Sequence, residues 1–545
     1  MKALAEPLKA FRRGFGNRSV RKIQLAGMGS ILGTYAYAVA LPVYAYHAGG
    51  ARAVGLLFFA RFVLAALAAP WLGVLADRRS RRRLMLCADV ARVGIFAGMT
   101  AVAATGGSAY AIYVLAVSST IIGGCYPPAQ AALLPSLVDS PDELTAANLV
   151  SNTFMSLGMF VGPALGGVLL ALSGPAAVFA LTGASFLWSA LLVMQVPRDA
   201  PPAQGADHAI LRQLSAGFAA VRRPAVRTVV GLSAAHAMVE GALTVLIVVL
   251  VFRLLHGSNA TVGWLTTAMG VGSILGAAVV AVIAARRRLA GGFALGILLW
   301  GIPLAATALA VTFPAALLLL GLVGIGGILI QVNGITLLQR SAENEVLGRV
   351  FAVLESLILA AMAIGSLLVA GLVSWLGPHG ALIAFGAFLP VLLVPLWSSL
   401  RRIDDEARIA EEPLELLRRI EIFAELPEAV LEHLAAGAAP ESVAPFQAVV
   451  SQGDVGRRFY VIAEGRAAVE AHEAELRALG PGDFFGEIAL LRDIPRTATV
   501  RALEPLRLYA VERDEFIAAV TGHAPTLEAA ESVVISRLPA GVLAS

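Results

Sequence analysis

The sequence predicts an α-helical membrane protein with twelve transmembrane helices in a 6+6 pseudo-symmetric arrangement, followed by a C-terminal soluble α+β domain. Three observations carry that expectation. The 545-residue chain is 58% hydrophobic and only 14% charged, with a mean hydropathy of +0.79, outside the usual balance of a soluble chain. Apolar runs of roughly 17 to 25 residues, long enough to cross a bilayer, recur with breaks near 50, 80, 106, 138, 173, 200–225, 257, 287, 313, 343 and 377. About 22 of the 37 acidic residues fall after residue 410, so the last quarter of the chain has a different, water-compatible composition.

Taken in order, residues 1–22 form a basic cytoplasmic segment containing Arg12, Arg13, Arg18, Arg21 and Lys22. The apolar run that follows continues to about Tyr46, which suits a retained span better than a cleaved leader, although Ala36-Tyr37-Ala38 imitates a cleavage site. Six spans fill 23–196 and six more fill 227–402. Between them, 197–226 opens with a Pro-containing polar stretch and continues as HAILRQLSAGFAAVRR, read as an amphipathic helix on the cytoplasmic face.

Arginines cluster in alternate connections, at Arg78 to Arg83, Arg222 to Arg227, Arg286 to Arg288, and Arg340 with Arg349. The positive-inside rule then places both termini in the cytoplasm, in a multi-pass protein of the plasma (inner) membrane. WLGVLADRRSRRR and GAAVVAVIAARRR lie about 205 residues apart, an echo that suggests duplicated halves, as transporters have. Cys87 and Cys125 both fall in apolar runs and read as small buried hydrophobes.

Residues 403–412 are a charged linker, and 413–545 form the soluble domain. PLELLRRIEIFAELPEAVLEHLAAG has helical periodicity; FYVIAEGRAAVE reads as a hairpin turning at Gly465, and RLYAVE as a further strand; DEFIAAV and TLEAAESVVISRL return to helix.

Residues 20 to 402 resemble the major facilitator superfamily. Gly73, Leu75, Ala76, Asp77, Arg78, Arg81 and Arg82 match the signature between spans two and three, with Ser80 where glycine is common. The resemblance implies a conformational latch, Gly73, Asp77, Arg78 and Arg81, that locks the cytoplasmic gate. A carboxylate at a helix end beside arginines can pair with them or sit at a neighbouring helix N-terminus. The second copy at Arg286 to Arg288 lacks the carboxylate, so the latch is expected in the first half alone.

In span five, Gly158, Gly162, Pro163, Gly166 and Gly167 form a helix-packing motif: small residues four apart allow close contact, and the proline bends the helix. It looks like the antiporter signature associated with exporters. PPAQAALLPSLVDSPDELTAANLV resembles the macrolide- and siderophore-efflux branch.

Ionisable groups inside spans cost several kcal/mol unless paired or wet. The candidates for transport or proton coupling are Glu240, one turn from His236, then Glu355, Asp89, Arg92 and Arg61, with Gln331 and Asn333 as polar partners. Asp89 and Arg92, one turn apart, are expected to neutralise each other. The family's usual arginine in span four is missing from 108–134.

FFGEIALLRDIPRTATV, residues 484–500, resembles the phosphate-binding cassette of cyclic-nucleotide-binding domains, a β-roll flanked by helices. A cyclic phosphate needs exposed N–H groups and close main-chain approach, which Gly486 permits at the start of a short helix, and a planar guanidinium fork. By the resemblance, Arg496 holds the phosphate, Glu487 accepts the ribose 2′-hydroxyl, and Gly486, Ile488, Ala489, Thr497 and Ala498 complete the cradle. TLEAAESVVISRL is the candidate lid. The regulatory ligand is cAMP or cGMP, with cAMP preferred. No cofactor, metal or nucleic-acid partner is expected, and no P-loop, HExxH or nucleophile elbow points to an enzyme.

The reading is therefore a secondary exporter of a small amphiphilic molecule in the lipid bilayer, proton coupling being open, regulated by cytoplasmic cyclic nucleotide. A lipid flippase or a non-transporting receptor on the same scaffold is the alternative. A gated channel would need a pore-loop signature or arginine-repeat sensor, and a transcription factor a helix-turn-helix after the roll; the sequence has neither.

Overall fold

The computed structural model describes residues 17–138, 140–197, 223–284, 289–310, 312–341, 344–409, 411–424, 426–471, 474–522 and 524–537. The chain forms two compact units, one ending at Arg401 and one beginning at Arg402.

The first unit is helical: α1 (Arg18–Arg78), α2 (Arg81–Ala104), α3 (Ala109–Gly123), α4 (Tyr126–Leu133), α5 (Pro141–Met194), α6 (Pro224–Val249), α7 (Asn259–Ala284), α8 (Leu289–Ala306), α9 (Phe313–Ser341) and α10 (Asn344–Ile409). Among the described residues, nine helical stretches are long and apolar enough to cross a membrane. Three of these, Arg18–Ala69, Glu143–Met194 and Gly348–Ile403, run for 52, 52 and 56 residues, about twice what one crossing needs. Each is broken at a left-handed glycine: Gly50 (φ 65°), Gly174 (φ 74°) and Gly377 (φ 71°). Pro175 and Pro378 follow directly, so glycine closes one helix and proline opens the next. These are the breaks read near 50, 173 and 377.

Polar caps fix the helix ends. The Asn17 side chain accepts from the N–H groups of Ser19 and Val20 at 3.0 and 3.4 Å and donates to the Leu137 carbonyl at 2.7 Å. Ser80 and Ser140 cap α2 and α5. Arg82 reaches from α2 to the last carbonyls of α5, donating to Val193 O (3.1 Å) and Met194 O (2.6 Å), where a cation suits the helix C-terminus.

The span-five glycines explain how α5 packs. A Cβ on Gly166 would lie 2.5 Å from the Ala36 carbonyl oxygen of α1, and one on Gly162 2.5 Å from Tyr35 Cβ. Gly158 faces Ile31 of α1, while a Cβ on Gly167 would stand 2.6 Å from Gly263 Cα of α7. The stripe thus lets α5 touch the backbones of both α1 and α7. Cys125 is buried, but Cys87 is exposed on α2, a correction to the expectation that both are buried: α2 turns its charges Asp89 and Arg92 inward, and a small apolar side chain suits the outer face of a spanning helix as well as the inner.

After the last turns of α10, which extend past Arg402, the second unit continues with α11 (Glu411–Arg418), a 3₁₀ turn and α12 (Glu428–Gly437). The strands are β1 (Ala439–Val443), β2 (Ala448–Val450), β3 (Arg458–Glu464), β4 (Ala467–Ala471), β5 (Ala474–Leu479), β6 (Phe484–Phe485), β7 (Thr499–Ala502) and β8 (Leu506–Glu512). Between β6 and β7 lies α13 (Glu487–Arg492), and α14 (Arg513–Thr521) and α15 (Ala524–Arg537) close the unit.

The strands make two antiparallel four-stranded sheets, ordered β1-β8-β3-β6 and β2-β7-β4-β5. Gly465 turns β3 into β4 with φ 89°. The two-residue period of β3 divides the core: Tyr460 and Ile462 point between the sheets, while Phe459 and Val461 join Phe423, Leu434, Phe516 and Val533 under the helices. Phe459 stacks on Phe516 with centroids 4.7 Å apart.

Arg507 of β8 binds α11 to this roll, donating to both Glu412 oxygens at 2.8 and 2.5 Å and to Glu464 at 2.6 Å. The Tyr509 hydroxyl donates to the same Glu412 carboxylate at 2.7 Å.

Candidate functional site

The cassette begins where β6 ends. Phe484 and Phe485 pair with Val461 and Tyr460 of β3, which sets the position of Gly486. Gly486 adopts φ 98°, a conformation that costs glycine nothing and other residues much. The six-residue α13 starts at the next residue. Ile488 is half-buried and Ala489 buried, and a helix's first N–H groups have no intrahelical acceptor. Thr497 and Ala498, both half-buried, form the bend that leads into β7.

Arg496 lies beneath this turn and is 5% exposed. Its Nη1 donates to the Gly486 carbonyl at 3.0 Å and its Nη2 to the Arg458 carbonyl at 2.7 Å. Arg458 is itself fixed, since its side chain bonds Glu512 of β8 (2.7 Å) and Glu441 of β1 (2.6 Å) in the same sheet. The backbone of Arg496 is held too: its N–H donates to Asp454 O at 2.8 Å and its carbonyl accepts from Gly453 N–H at 2.9 Å.

The guanidinium also lies 5.9 Å from the centroid of Tyr460, whose ring stacks on Phe485. Two of the five N–H donors of an arginine are thus used, on neutral carbonyls. Among the described residues no carboxylate lies within ion-pairing distance of Arg496, and burial holds its proton affinity below the usual arginine range. A buried cation without an anion is costly, so the turn is poised for one.

Glu487 is 2% exposed. Its Oε1 accepts from Arg537 Nη1 at 2.8 Å, while its Oε2 is buried with no partner. An orphaned buried carboxylate oxygen fits one further hydroxyl donor. Arg537, at the end of α15, also donates to the Phe484 carbonyl at 3.1 Å and lies 4.0 Å from the Phe484 ring centroid. The closing helix is therefore bonded to the cassette at two points. Sequence reading did not single out Arg537; the signal was the need of a buried carboxylate for a cation, with no spacing rule to say which. A cavity of about 450 Å³ lies behind the cassette, lined by Leu490, Asp493, Arg513, Ile517, Leu527 and Glu531 among others. It does not include Gly486 or Arg496.

In the first unit the candidate residues do not form one cluster. Asp89 is fully buried, and its Oδ2 accepts from Ser189 of α5 at 2.6 Å, Ser189 lying 3.1 Å from the Tyr126 hydroxyl. Asp89 and Arg92, expected to neutralise each other, make no direct hydrogen bond or ion pair among the described residues, though each charge acts on the other; Arg92 places its guanidinium 3.8 Å from the Phe186 ring centroid. His236 meets Trp300 edge-on at 4.9 Å with Nε2 buried and unpartnered.

Glu240 and Glu355 are exposed, as is Gln331. Asn333 is buried and donates to Leu329 O at 2.8 Å. Arg61 of α1 donates from Nε to Thr120 of α3 at 2.9 Å. Gly73, Asp77 and Arg78 belong to the last turns of α1, but their side chains lie outside the described residues; Arg81 opens α2. The amphipathic helix expected within 197–226 and the arginines 286–288 also fall outside them, save 223–226 at the start of α6.

Comparison with known proteins adds two family matches. The profile of the family described as transmembrane secretion effector matches residues 14–421, and that of the cyclic nucleotide-binding domain matches residues 440–523. Curated relatives include a cGMP-dependent protein kinase of Eimeria tenella, 34% identical over 125 residues, 22% of this chain and 12% of that protein. A cAMP-dependent protein kinase regulatory subunit of Yarrowia lipolytica is 34% identical over 102 residues, 18% and 27% of the two chains. The acetyltransferase Pat of Mycolicibacterium smegmatis is 39% identical over 104 residues, 18% and 31%. This chain thus spans under a third of the length of each of these relatives. Among solved structures, the regulatory domain of Toxoplasma gondii PKA with cAMP is 22% identical, with a TM-score of 0.22, covering 24% of this chain and 51% of that one.

Proposed function

We propose that this chain, which belongs to the transmembrane secretion effector family of the major facilitator superfamily and ends in a cyclic nucleotide-binding domain, is a secondary exporter of a small amphiphilic molecule under cytoplasmic cAMP control. The family matches make it a transporter domain joined to a domain whose ligand is cAMP or cGMP; the direction of transport, the kind of substrate and the choice of cAMP are our reading. The long helices broken at Gly50, Gly174 and Gly377 each count as two crossings, so the nine stretches make twelve spans, in halves at 23–196 and 227–402. The arginine-rich connections put both termini in the cytoplasm of a plasma (inner) membrane protein. The chain is read as a carrier without enzymatic activity.

The observation that carries the regulatory reading is the pairing of Arg496, a buried guanidinium without a carboxylate, with Glu487, a buried carboxylate with an unused oxygen. In this reading the cyclic phosphate takes the free N–H groups of Arg496 with the Ile488, Ala489, Thr497 and Ala498 backbone. The ribose 2′-hydroxyl donates to Glu487 Oε2. Gly486 lets the ligand approach the main chain. Because Glu487 also holds Arg537, occupancy is felt by α15. A ligand shifts a carrier only by its difference in affinity for two states, typically about 1–3 kcal/mol, so the expected effect is modulation.

In the membrane unit, Asp77 with Gly73, Arg78 and Arg81 serves as the cytoplasmic latch. Glu240 is the first candidate for proton coupling, with His236, and Asp89 and Glu355 follow. The reading of export rests on the likeness of the run Gly158, Gly162, Pro163, Gly166 and Gly167 to the antiporter signature; three of these glycines pack α5 on α1 within its own half, and Gly167 meets Gly263 of the other half.

The test is transport by the full chain in sealed vesicles, with an amphiphilic fluorescent dye as probe and cAMP or cGMP supplied on the domain's side. cAMP should change the initial rate severalfold in the parent and leave Arg496→Ala unchanged. A rate indifferent to both nucleotides overturns the regulatory reading, and no protein-dependent dye movement under any condition overturns export of amphiphiles.

A further inference from the structure

We infer that Arg61 is the anion-binding point of the membrane unit, and that the transported substrate is an organic anion with an apolar, aromatic-sized body. The inference rests on the carrier reading above and deepens it by naming a substrate class. Arg61 lies 11 residues after Gly50 and 17 before Arg78 on α1, so a guanidinium stands well inside a span. Its Nε donates at 2.9 Å to Thr120 Oγ1, which itself donates to Ala116 O at 2.9 Å. That relay fixes the stem of the guanidinium and leaves both terminal nitrogens without a partner among the described residues. No carboxylate pairs with it there.

Its surroundings are aromatic: Arg61 Cζ is 4.8 Å from the Phe58 ring centroid and 5.5 Å from that of Tyr37. Tyr37 is 4% exposed, braced edge-on by Phe96 and Phe179, and its hydroxyl is buried without a partner. A second unused polar group therefore belongs to a ring that Arg61 lies against.

The unit's other interior charges are placed differently, although Arg92 Nε and Asp89 Oδ1 are also buried without a partner among the described residues. Arg92 is 9% exposed and covers Phe186; Asp89 is bonded to Ser189; Glu240 and Glu355 are on α6 and α10. An unpaired guanidinium within a span is expensive and persists where it has a partner to meet. Its planar fork suits a carboxylate, sulfonate or phosphate, and the rings beside it suit an apolar body.

The test uses the full chain in a neutral detergent with three probes of equal size: 2-naphthoate, 2-naphthylmethylammonium and 2-naphthylmethanol. Calorimetry should show naphthoate binding at least roughly tenfold tighter than the other two, the order expected for a charge-assisted bond. Arg61→Gln should weaken naphthoate roughly ten- to a hundredfold, Arg61→Lys less, and Thr120→Val, which frees the stem, less again. Unaltered thermal midpoints for Arg61→Lys and Thr120→Val guard against misfolding. Displacement of naphthoate by phosphatidylglycerol would assign the anion to a lipid headgroup, and lack of displacement to a soluble molecule.

Naphthoate that binds no better than the other probes, or binds Arg61→Gln as well as the parent, overturns the inference. Because only binding is read, failure here leaves the carrier reading standing, whereas naphthoate binding without vesicle transport removes the carrier reading alone.

Discussion

Arg537 donates to Glu487 at 2.8 Å across 50 positions of sequence, so the closing helix and the nucleotide cassette share one carboxylate. Glu487 gives one oxygen to the helix and keeps the other unsatisfied. That division makes the pair the natural junction between ligand occupancy and helix position.

Removing Arg537 should therefore destabilise the second unit. Arg537→Leu leaves Glu487 buried with no cation, a loss of at most about 3–5 kcal/mol by the cost of breaking buried pairs. Glu487→Gln in the same background should recover much of it. Urea unfolding of the single and double variants reads the coupling, and strictly additive losses would show that the two residues do not act together.

Arg496 is expected to decide nucleotide affinity. Arg496→Ala should weaken cAMP binding by roughly a hundredfold or more, since a charge-assisted fork is lost, and Arg496→Lys should fall between, keeping charge without the fork. Calorimetry on the purified protein measures both. Equal affinity for cAMP in parent and Arg496→Ala refutes the pocket assignment.

Gly166 should tolerate no side chain. A Cβ there would stand 2.5 Å from Ala36 O and 2.7 Å from Ala36 Cα, and backbone cannot step aside as a flexible side chain can. Gly166→Val should cost about 1–3 kcal/mol or more and depress the thermal midpoint of the detergent-solubilised protein. Gly94, with nothing near its Cβ position, is the control for substitution in a helix.

The Glu412 carboxylate should give the second unit a small acid sensitivity. Hydrogen bonds from Arg507, then from Tyr509, hold its pKa below the ordinary glutamate value. A group depressed on folding contributes stability above its unfolded pKa, and the contribution disappears as pH falls through the folded value. The carboxylate is 46% exposed, so the amount is at most about 1 kcal/mol. Denaturant midpoints taken between pH 7 and pH 3 should fall less steeply for Glu412→Gln than for the parent; parallel curves would count against the pairing.

Asp77→Asn should shift the conformational balance of the carrier, as the latch reading requires. Cysteine probes placed on the cytoplasmic side should label faster in the variant. Identical labelling in both proteins would remove the latch.

The parts of this fold that were legible in the sequence are those fixed by local chemistry. A run of apolar residues long enough for a bilayer needs no partner to be recognised, and the glycines that end such runs announce themselves by the backbone they permit. Gly465 was readable as a hairpin turn and Gly486 as the point where a ligand nears the main chain, and both adopt left-handed backbone. What could not be read depends on residues far apart. Ser189 lies 100 positions from Asp89, and nothing in the helical period of α2 told that Arg92 would cover Phe186 and leave its neighbouring carboxylate to a serine. Arg82 read as one position of the signature between spans two and three, yet it also closes the end of α5.

The three elbows at Gly50, Gly174 and Gly377 bear on how such a carrier would move. With one or two residues at each bend there is no slack, so the limbs on either side behave as a single V-shaped lever. On this reading, rocking of one limb carries the other with it.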